Sequence, residues 1–456
     1  MTPLASLARS CYAAALAAVH PRSLVGKLSF SHGGVGFQEV WLEPKGKLVL
    51  VSVGKAGATM AEAFLQRVKR QPEVVFVLVP RGVEVAEALL PFTRFGTHPG
   101  VSEENAVATG SLRNLLAALT PEDGVVFLVS GGASALLSMP VEGVTVEELD
   151  QLTRELSRGG ATIGQLNKVR KHLGEVLGGK LAGVCPGQIL TLVLSDVPGN
   201  ALDVVASGPT LPDPSTCEQA VEVIKRFGLH CKFPHIPEIL LSGKHETPKP
   251  GDPLFQRART FLLGSNQEAL EAMKTTLAAA GFRSWVLTSQ LRGEAREVGR
   301  TLGALIRVAA PGTALLAAGE TTVTVKGPGE GGRNLELALG AAESLAGHRH
   351  RCLLAAGTDG VDGSSPAAGA VVDGQTLWRG RKAGKDPEKA FKANDSWGFF
   401  AGLPEAILVG PTGTNVADVV VALSAPQASW QLPLRVQGWQ RPSAPSSLGQ
   451  PRTENP

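Results

Sequence analysis

The sequence is poor in the residues that would make several functional classes legible at once. It holds five cysteines, one tyrosine and 5% aromatic residues in 456 positions. The cysteines (Cys11, Cys185, Cys217, Cys231, Cys352) are odd in number, scattered and never spaced C-x-x-C. That excludes a disulfide framework or a zinc ribbon and favours a reducing compartment. No apolar run reaches the ~18–20 residues a membrane helix needs. A charge excess is missing too. Forty-four Lys and Arg stand against 41 Asp and Glu, too even a balance for a nucleic-acid or acidic-membrane binder. The histidines form no H-x-x-x-H, no G-x-S-x-G elbow occurs, and no Gly-Lys pair is followed by Ser or Thr. Zinc-hydrolase, α/β-hydrolase and Walker A readings fall with them.

What is abundant is small and apolar. Hydrophobic residues make up 43%, with 54 glycines and 31 prolines. A chain of this length fits two or three domains with large cores, and its glycine and proline mark many tight turns between strands and helices. No acidic residue precedes Glu39, while Arg9, Arg22 and Lys27 do. A targeting segment has this composition. The cleavage site is poorly formed, however, and the preferred reading is an amphipathic helix over 4–20, stopped by Pro21. A cytoplasmic location is expected, with a mitochondrial one as the alternative.

The apolar runs at 47–53, 74–80, 124–130 and 188–195 read as buried strands. Helices are expected at 57–70 and 102–119, and a long helical stretch over 161–183. Near-continuous apolar strands alternating with helices predict a parallel sheet covered on both faces. Residues 245–253 hold three prolines in nine positions and read as a linker. The alternation then restarts, with strands expected at 259–264, 284–288, 313–318, 321–326, 351–356 and 416–423, and helices at 265–280, 293–309 and 334–346. This divides the chain into a first lobe at 1–244, a linker at 245–258, a second lobe at 259–423 and an irregular tail at 424–456. The tail contains six prolines.

In doubly wound sheets, ligands bind at the carboxyl ends of the strands. Lys55 stands there after 47–53, just before a helix, where a cation suits a phosphate or only a solvated turn. Ser130, Gly131, Gly132 and Ser134 follow 124–130; small residues there let a backbone close on an anion, or simply turn tightly. Asp196 ends the fourth strand, as a metal ligand, a proton acceptor or a turn aspartate. His98-Pro99 precedes the helix at 102 and reads as a structural turn, with a site histidine as the alternative. Gly327, Gly329 and Gly332 satisfy G-x-G-x-x-G, but the acid that a dinucleotide fingerprint requires is poorly placed. Arg333 follows at once, and a cation at a helix N-terminus points to an anionic ligand. Asp359 and Asp362 lie in a loop lacking the further ligands of a stable calcium site, and 394–396 and 410–415 complete a polar rim. Anion loops, two cations and strand-end aspartates are what phosphoryl transfer requires.

These motifs together resemble the class II glycerate kinases, whose second lobe is the MOFRL domain. The matching segments run in order: VGKA at 53–56, SGGASAL at 130–136, LNKVRKHL at 166–173, SDVPGN at 195–200 and ASGPT at 206–210. They continue with the 318–339 stretch from AGETT to LELAL, AAGTDGVDG at 355–363, NDS at 394–396 and GPTGTNVAD at 410–418. The resemblance implies two Rossmann-like α/β lobes with a ligand cleft between them. It implies phosphorylation of D-glycerate by ATP with Mg2+, usually at the 2-position. Lys55, Asp196 and Arg333 are then the expected catalytic residues. Ser130, Gly131, Gly132, Ser134, Asn167, Arg170, Glu320, Asn334 and Asp359 are expected to bind substrate or nucleotide, and Asp196 and Asp359 to hold the metal. D-glycerate is the expected partner, without nucleic acid or membrane, and a homodimer is the assembly considered. Two departures stand out. Ala133 replaces the last of three glycines, and Asn200 replaces an aspartate. The rival reading is a hydroxypyruvate or tartronate reductase using a nicotinamide cofactor; a non-catalytic ligand sensor is a further one.

Overall fold

The computed structural model describes residues 2–197 and 199–426, so nearly all of the tail expected at 424–456 lies outside the described residues. Six strands form one parallel sheet in the spatial order Thr93–Gly96, Val74–Pro80, Leu48–Val53, Gly124–Val129, Gln188–Leu194, Ala258–Gly264. Numbered along the chain, this is the 3-2-1-4-5-6 order of a Rossmann sheet. Alternate residues of Leu48–Val53 go to opposite faces. Leu48 and Leu50 pack with Met60 and Phe64 of the helix Gly57–Leu65; Val49, Val51 and Val53 pack with Leu112 and Leu116 of the helix Glu103–Ala117. No position in the strand is left exposed, which explains its unbroken apolar run.

A helical layer covers this lobe. The helix Val146–Arg158 buries Leu149, Leu152 and Leu156, a spacing of three and four, and starts from a capping box between Thr145 and Glu148. It packs with Ile163–Leu173, Cys217–Arg226 and His235–Leu241 around Val169, Ile224 and Ile236. The stretch expected to be helical over 161–183 is broken. It stops at Leu173, and Gly178 and Gly179 are left-handed (φ 60° and 87°) before Lys180–Val184.

The expected linker does not separate the lobes. Glu246 accepts from the amide of Cys217 at 3.0 Å and lies 3.0 Å from His172 Nε2, and Thr247 Oγ1 donates to Asp213 at 3.1 Å. The proline-rich segment is thus tied to the helical layer. The strand after it, Ala258–Gly264, pairs with Gln188–Leu194 as the edge of the first sheet, rather than opening the second.

The second sheet has six strands in the order Arg283–Leu291, Thr313–Gly319, Asp418–Ser424, Arg351–Gly357, Gly369–Asp373, Ala406–Ile407. It is mixed, not wholly parallel, because Asp418–Ser424 enters antiparallel between Thr313–Gly319 and Arg351–Gly357. The strand expected at 321–326 does not form. Its amides turn to side chains instead, Thr324 N to Glu294 and Lys326 N to Asn394. The N-terminal helix Pro3–Val19 forms as expected and stops before Pro21, yet it packs on the second lobe. Tyr12 donates to the carbonyl of Gly357 at 2.6 Å, and Arg9 donates to that of Pro404 at 2.8 Å. Among the described residues no helix is long and apolar enough to cross a membrane.

Candidate active site

In the first lobe the sequence order reverses between Leu48–Val53 and Gly124–Val129, where a doubly wound sheet opens a crevice. Lys55 follows the first of these strands and the 130–134 turn follows the second. Ser130 is a scaffold, not a free ligand group: fully buried, it accepts from the amide of Ala56 at 3.1 Å and lies 3.4 Å from the carbonyl of Val53. Lys55 N donates to Gly131 O at 2.9 Å, so the two turns are one unit. Gly131 must be glycine, because a Cβ there would lie 1.7 Å from Asp196 Oδ2. Gly132 is left-handed (φ 85°), and a Cβ on it would touch His98 and Lys55. His98 thus sits in a bend, as the turn reading expects, and also borders Gly132 and Lys55. Burial, then Lys55 and Arg170, push its pKa down to about 4.

Asn167 and Ser134 meet through a residue that sequence reasoning passed over. Ser207 Oγ lies 3.1 Å from Ser134 Oγ and 3.0 Å from Asn167 Oδ1, and Asn167 Nδ2 donates to Val204 O at 3.1 Å. Ala206 and Ser207 both adopt the left-handed conformation (φ 53° and 56°). Asn167 holds this strained turn in place and is itself buried.

On the second lobe, Glu320 and Asp359 follow the strands Thr313–Gly319 and Arg351–Gly357. Arg333 begins the helix Arg333–Leu345. Its guanidinium takes Asp418 with two donors, Nε at 2.5 Å and Nη2 at 3.0 Å, while Nη1 lies 2.9 Å from Glu320. Burial alone would lower the Arg333 pKa, but Asp418 and Glu320 outweigh it and raise it. Asn334 does not face the cleft. It is buried, and both its amide and its side chain donate to Asp362. Asp362 also accepts from Leu335 N at 2.8 Å, so it caps the helix, and burial raises its pKa to about 7.

At the strand ends, two polar contacts join these groups from lobe to lobe. Lys55 Nζ lies 3.9 Å from Asp359 Oδ2, and Asn415 Nδ2 donates to Asp196 Oδ2 at 3.2 Å. Burial raises the Asp196 pKa to about 6; Lys55 opposes the rise, while Glu320 and Asp359 add to it. Burial likewise raises Asp359 and Glu320. All three carboxylates feel Lys55, and Glu320 also pairs with Arg333, yet burial holds each above its ordinary range. Beside them a cavity of about 760 Å3 opens over the second lobe, bordered by Arg292, Glu320, Thr322, Gly331, Arg333 and Ser364.

Residues 7–240 match a domain of unknown function, DUF4147, and residues 313–418 match the MOFRL family. The D-glycerate 2-kinase of Thermotoga maritima is 38% identical over 392 residues, covering 83% of this chain and 90% of the relative. A glycerate 2-kinase of Pyrococcus horikoshii is 34% identical, covering 88% and 93%. The chain belongs to the glycerate kinase family. The crystal structure of the Thermotoga maritima glycerate kinase superposes with a TM-score of 0.81 at 36% identity, covering 92% of this chain and 99% of that one. A relative from Agrobacterium vitis, 36% identical and covering 82% and 87%, carries a provisional hydroxypyruvate reductase name.

Within this glycerate kinase family chain the glycine motif is explained by packing. A Cβ at Gly327 would lie 2.4 Å from Ala393 O, one at Gly329 2.4 Å from Asp395 Cβ, and one at Gly331 2.1 Å from Ser396 Oγ. These glycines admit the 393–396 segment, and no strand leads into them, so the dinucleotide fingerprint loses both its context and its purpose. The two departures are also accommodated. Ala133 opens the short helix Ala133–Leu136 with ordinary backbone angles, and Asn200 takes a left-handed turn (φ 54°) that asparagine tolerates.

Proposed function

We propose that the chain transfers the γ-phosphoryl group of ATP to D-glycerate, giving 2-phospho-D-glycerate and ADP. One observation carries the reading. A carboxylate with its pKa near 6 and a lysine from one lobe meet two further carboxylates and an arginine from the other. Phosphoryl transfer is mostly positioning and charge neutralisation, and this arrangement supplies both.

The nucleotide fits the 760 Å3 cavity, with its phosphates toward Arg333 and Lys55. The substrate hydroxyl faces Asp196, which is largely ionised at neutral pH yet basic enough to take its proton. The hydroxyl oxygen bonds to the γ-phosphorus as the bond to the ADP oxygen breaks. Lys55 and Arg333 hold the charge spread over the phosphoryl oxygens. Hard oxygen donors at Asp359, Glu320 and Asp196 suit magnesium, which would neutralise the phosphates when bound. Asn415, on Oδ2 of Asp196, fixes the orientation of that carboxylate.

A coupled assay with D-glycerate, ATP and magnesium tests this reading. Signal through enolase without phosphoglycerate mutase identifies the 2-phosphate. Signal only with the mutase moves the transfer to the 3-hydroxyl. NADH oxidation with hydroxypyruvate, and no phosphoglycerate, replaces the kinase with the reductase.

A further inference from the structure

We propose that Arg170 is the anchor for the substrate carboxylate, in a subsite on the first-lobe side of the cleft that also offers Ser134 and His98. The inference rests on the kinase reading above and assigns the place of the acid within it.

Asn167 and Arg170 lie three residues apart on the helix Ile163–Leu173, hence on one face. Asn167 reaches Ser134 through Ser207, which turns that face toward the glycine turn at 131–134. Arg170 and Lys55 both act on His98 through their charge, in keeping with the side of the helix that Asn167 turns toward the cleft. Arg170 is mostly removed from water, and burial lowers its pKa. Yet among the described residues its guanidinium makes no hydrogen bond and no ion pair. The acid that acts on it is Asp150, and only through the electrostatic field. Asp150 is already occupied, accepting from Val101 N at 2.8 Å and pairing with Arg154 at 2.8 Å.

Among the described residues no nitrogen of Arg170 is sealed from water without a partner, so its donors stay open to an anion entering the cleft. Arg333 presents the opposite case, since Asp418 and Glu320 already occupy it. Of the two arginines, Arg170 has the free planar fork that matches a carboxylate with two parallel hydrogen bonds. His98, neutral at ordinary pH, adds a hydrogen-bonding group without a third positive charge. Ser134 and His98, the other groups of the subsite, offer a hydroxyl and a ring nitrogen. They suit a short hydroxy-acid and leave the larger cavity to the nucleotide.

The test uses full-length Arg170→Met and Arg170→Lys, each checked against the parent by thermal melting. D-glycerate and its uncharged analogue glyceramide serve as substrates, and calorimetry follows D-glycerate binding without nucleotide. Losing a charged hydrogen-bond pair should raise the KM for D-glycerate roughly 10- to 100-fold in Arg170→Met. The KM for ATP should stay put, and the preference for glycerate over glyceramide should shrink. Arg170→Lys should recover part of the loss, because it keeps the charge and not the fork. A raised KM for ATP with that for glycerate unmoved would instead give Arg170 to a phosphate, and unchanged values for both would make it structural; either overturns the inference. A parent protein that turns over no glycerate ends the kinase reading. Calorimetry still decides the subsite in that case, since equal glycerate affinity in parent and Arg170→Met refutes it.

Discussion

The two lobes place charge at the cleft by different rules. In the six-stranded sheet of the first, every strand is parallel, so its strand-end groups all come from carboxyl ends: Lys55, the 130–134 turn and Asp196. In the second, Asp418–Ser424 runs against its neighbours, so the amino end of a strand reaches the same rim. Asp418 and Asn415 arrive that way, beside the carboxyl-end residues Glu320 and Asp359. In the first lobe Lys55 has only a 3.9 Å pair with Asp359, and Arg170 has no hydrogen bond or ion pair among the described residues. The second has its arginine already paired, with Asp418 holding the guanidinium in a fixed plane.

That contrast is broken first at Asp196. Asp196→Asn keeps the size and the Asn415 contact but cannot take a proton, and should cut kcat roughly 10²- to 10⁴-fold in the coupled assay. Arg333→Ala comes next. It removes a cation from the phosphates and leaves Asp418 and Glu320 facing each other uncompensated. Turnover should fall roughly 10²- to 10³-fold, and thermal melting should move down with it. The same substitution in a ligand sensor would lower affinity alone.

The pH profile sharpens the first-lobe side. The ionised Asp196 is the active form, so kcat/KM should climb as pH rises through about 6 and level off above it. Asp196→Asn should lose that limb. Stability runs the other way. Asp196 and Asp362 titrate near 6 and 7 in the folded state, above ordinary aspartate values, so the folded chain binds more protons than the unfolded one. Their contribution is greatest at low pH and declines as pH rises through that window, which chemical denaturation at several pH values would measure.

Smaller effects belong to the scaffold of the second lobe. Asp362→Ala strips two amides at the start of Arg333–Leu345 of their acceptor and should cost about 1–2 kcal/mol in denaturant titrations. The smallest change is expected from Ala133→Gly. It restores the glycine usual in the family at a helical position with no need of one, so stability should drop by about 1 kcal/mol or less while kcat holds.

Much of the site was legible because strand ends can be read from hydrophobic runs. Lys55, Asp196, Glu320 and Asp359 all follow such runs, and Arg333 stands where a helix begins. Asp418 was hidden for the converse reason: it opens its strand rather than following it, and no periodicity reveals strand direction. Ser207 was hidden because its role depends on a left-handed turn held by Asn167. Signals did exist for some misses. Thr145 and Glu148 spell a capping box ahead of Leu149, Leu152 and Leu156, enough to predict the helix Val146–Arg158. Ser130 spends its hydroxyl on the backbone and Asn334 its amide on Asp362, and sequence cannot tell such groups from ones left for a ligand.

By itself the sequence determined the alternation of strands and helices, the parallel first sheet, the family and most of the charged groups at the cleft. All of these depend on local pattern, or on ordered motifs that no other arrangement of the chain would produce. Tertiary structure decided what depends on neighbours distant in the chain. It sent Pro3–Val19 to the second lobe, gave Ala258–Gly264 to the first sheet and inserted Asp418–Ser424 antiparallel. It also paired Arg333 with Asp418 and Glu320 while leaving Arg170 without a hydrogen bond or ion pair among the described residues, because a charge is satisfied by whatever the fold brings within a few ångströms of it.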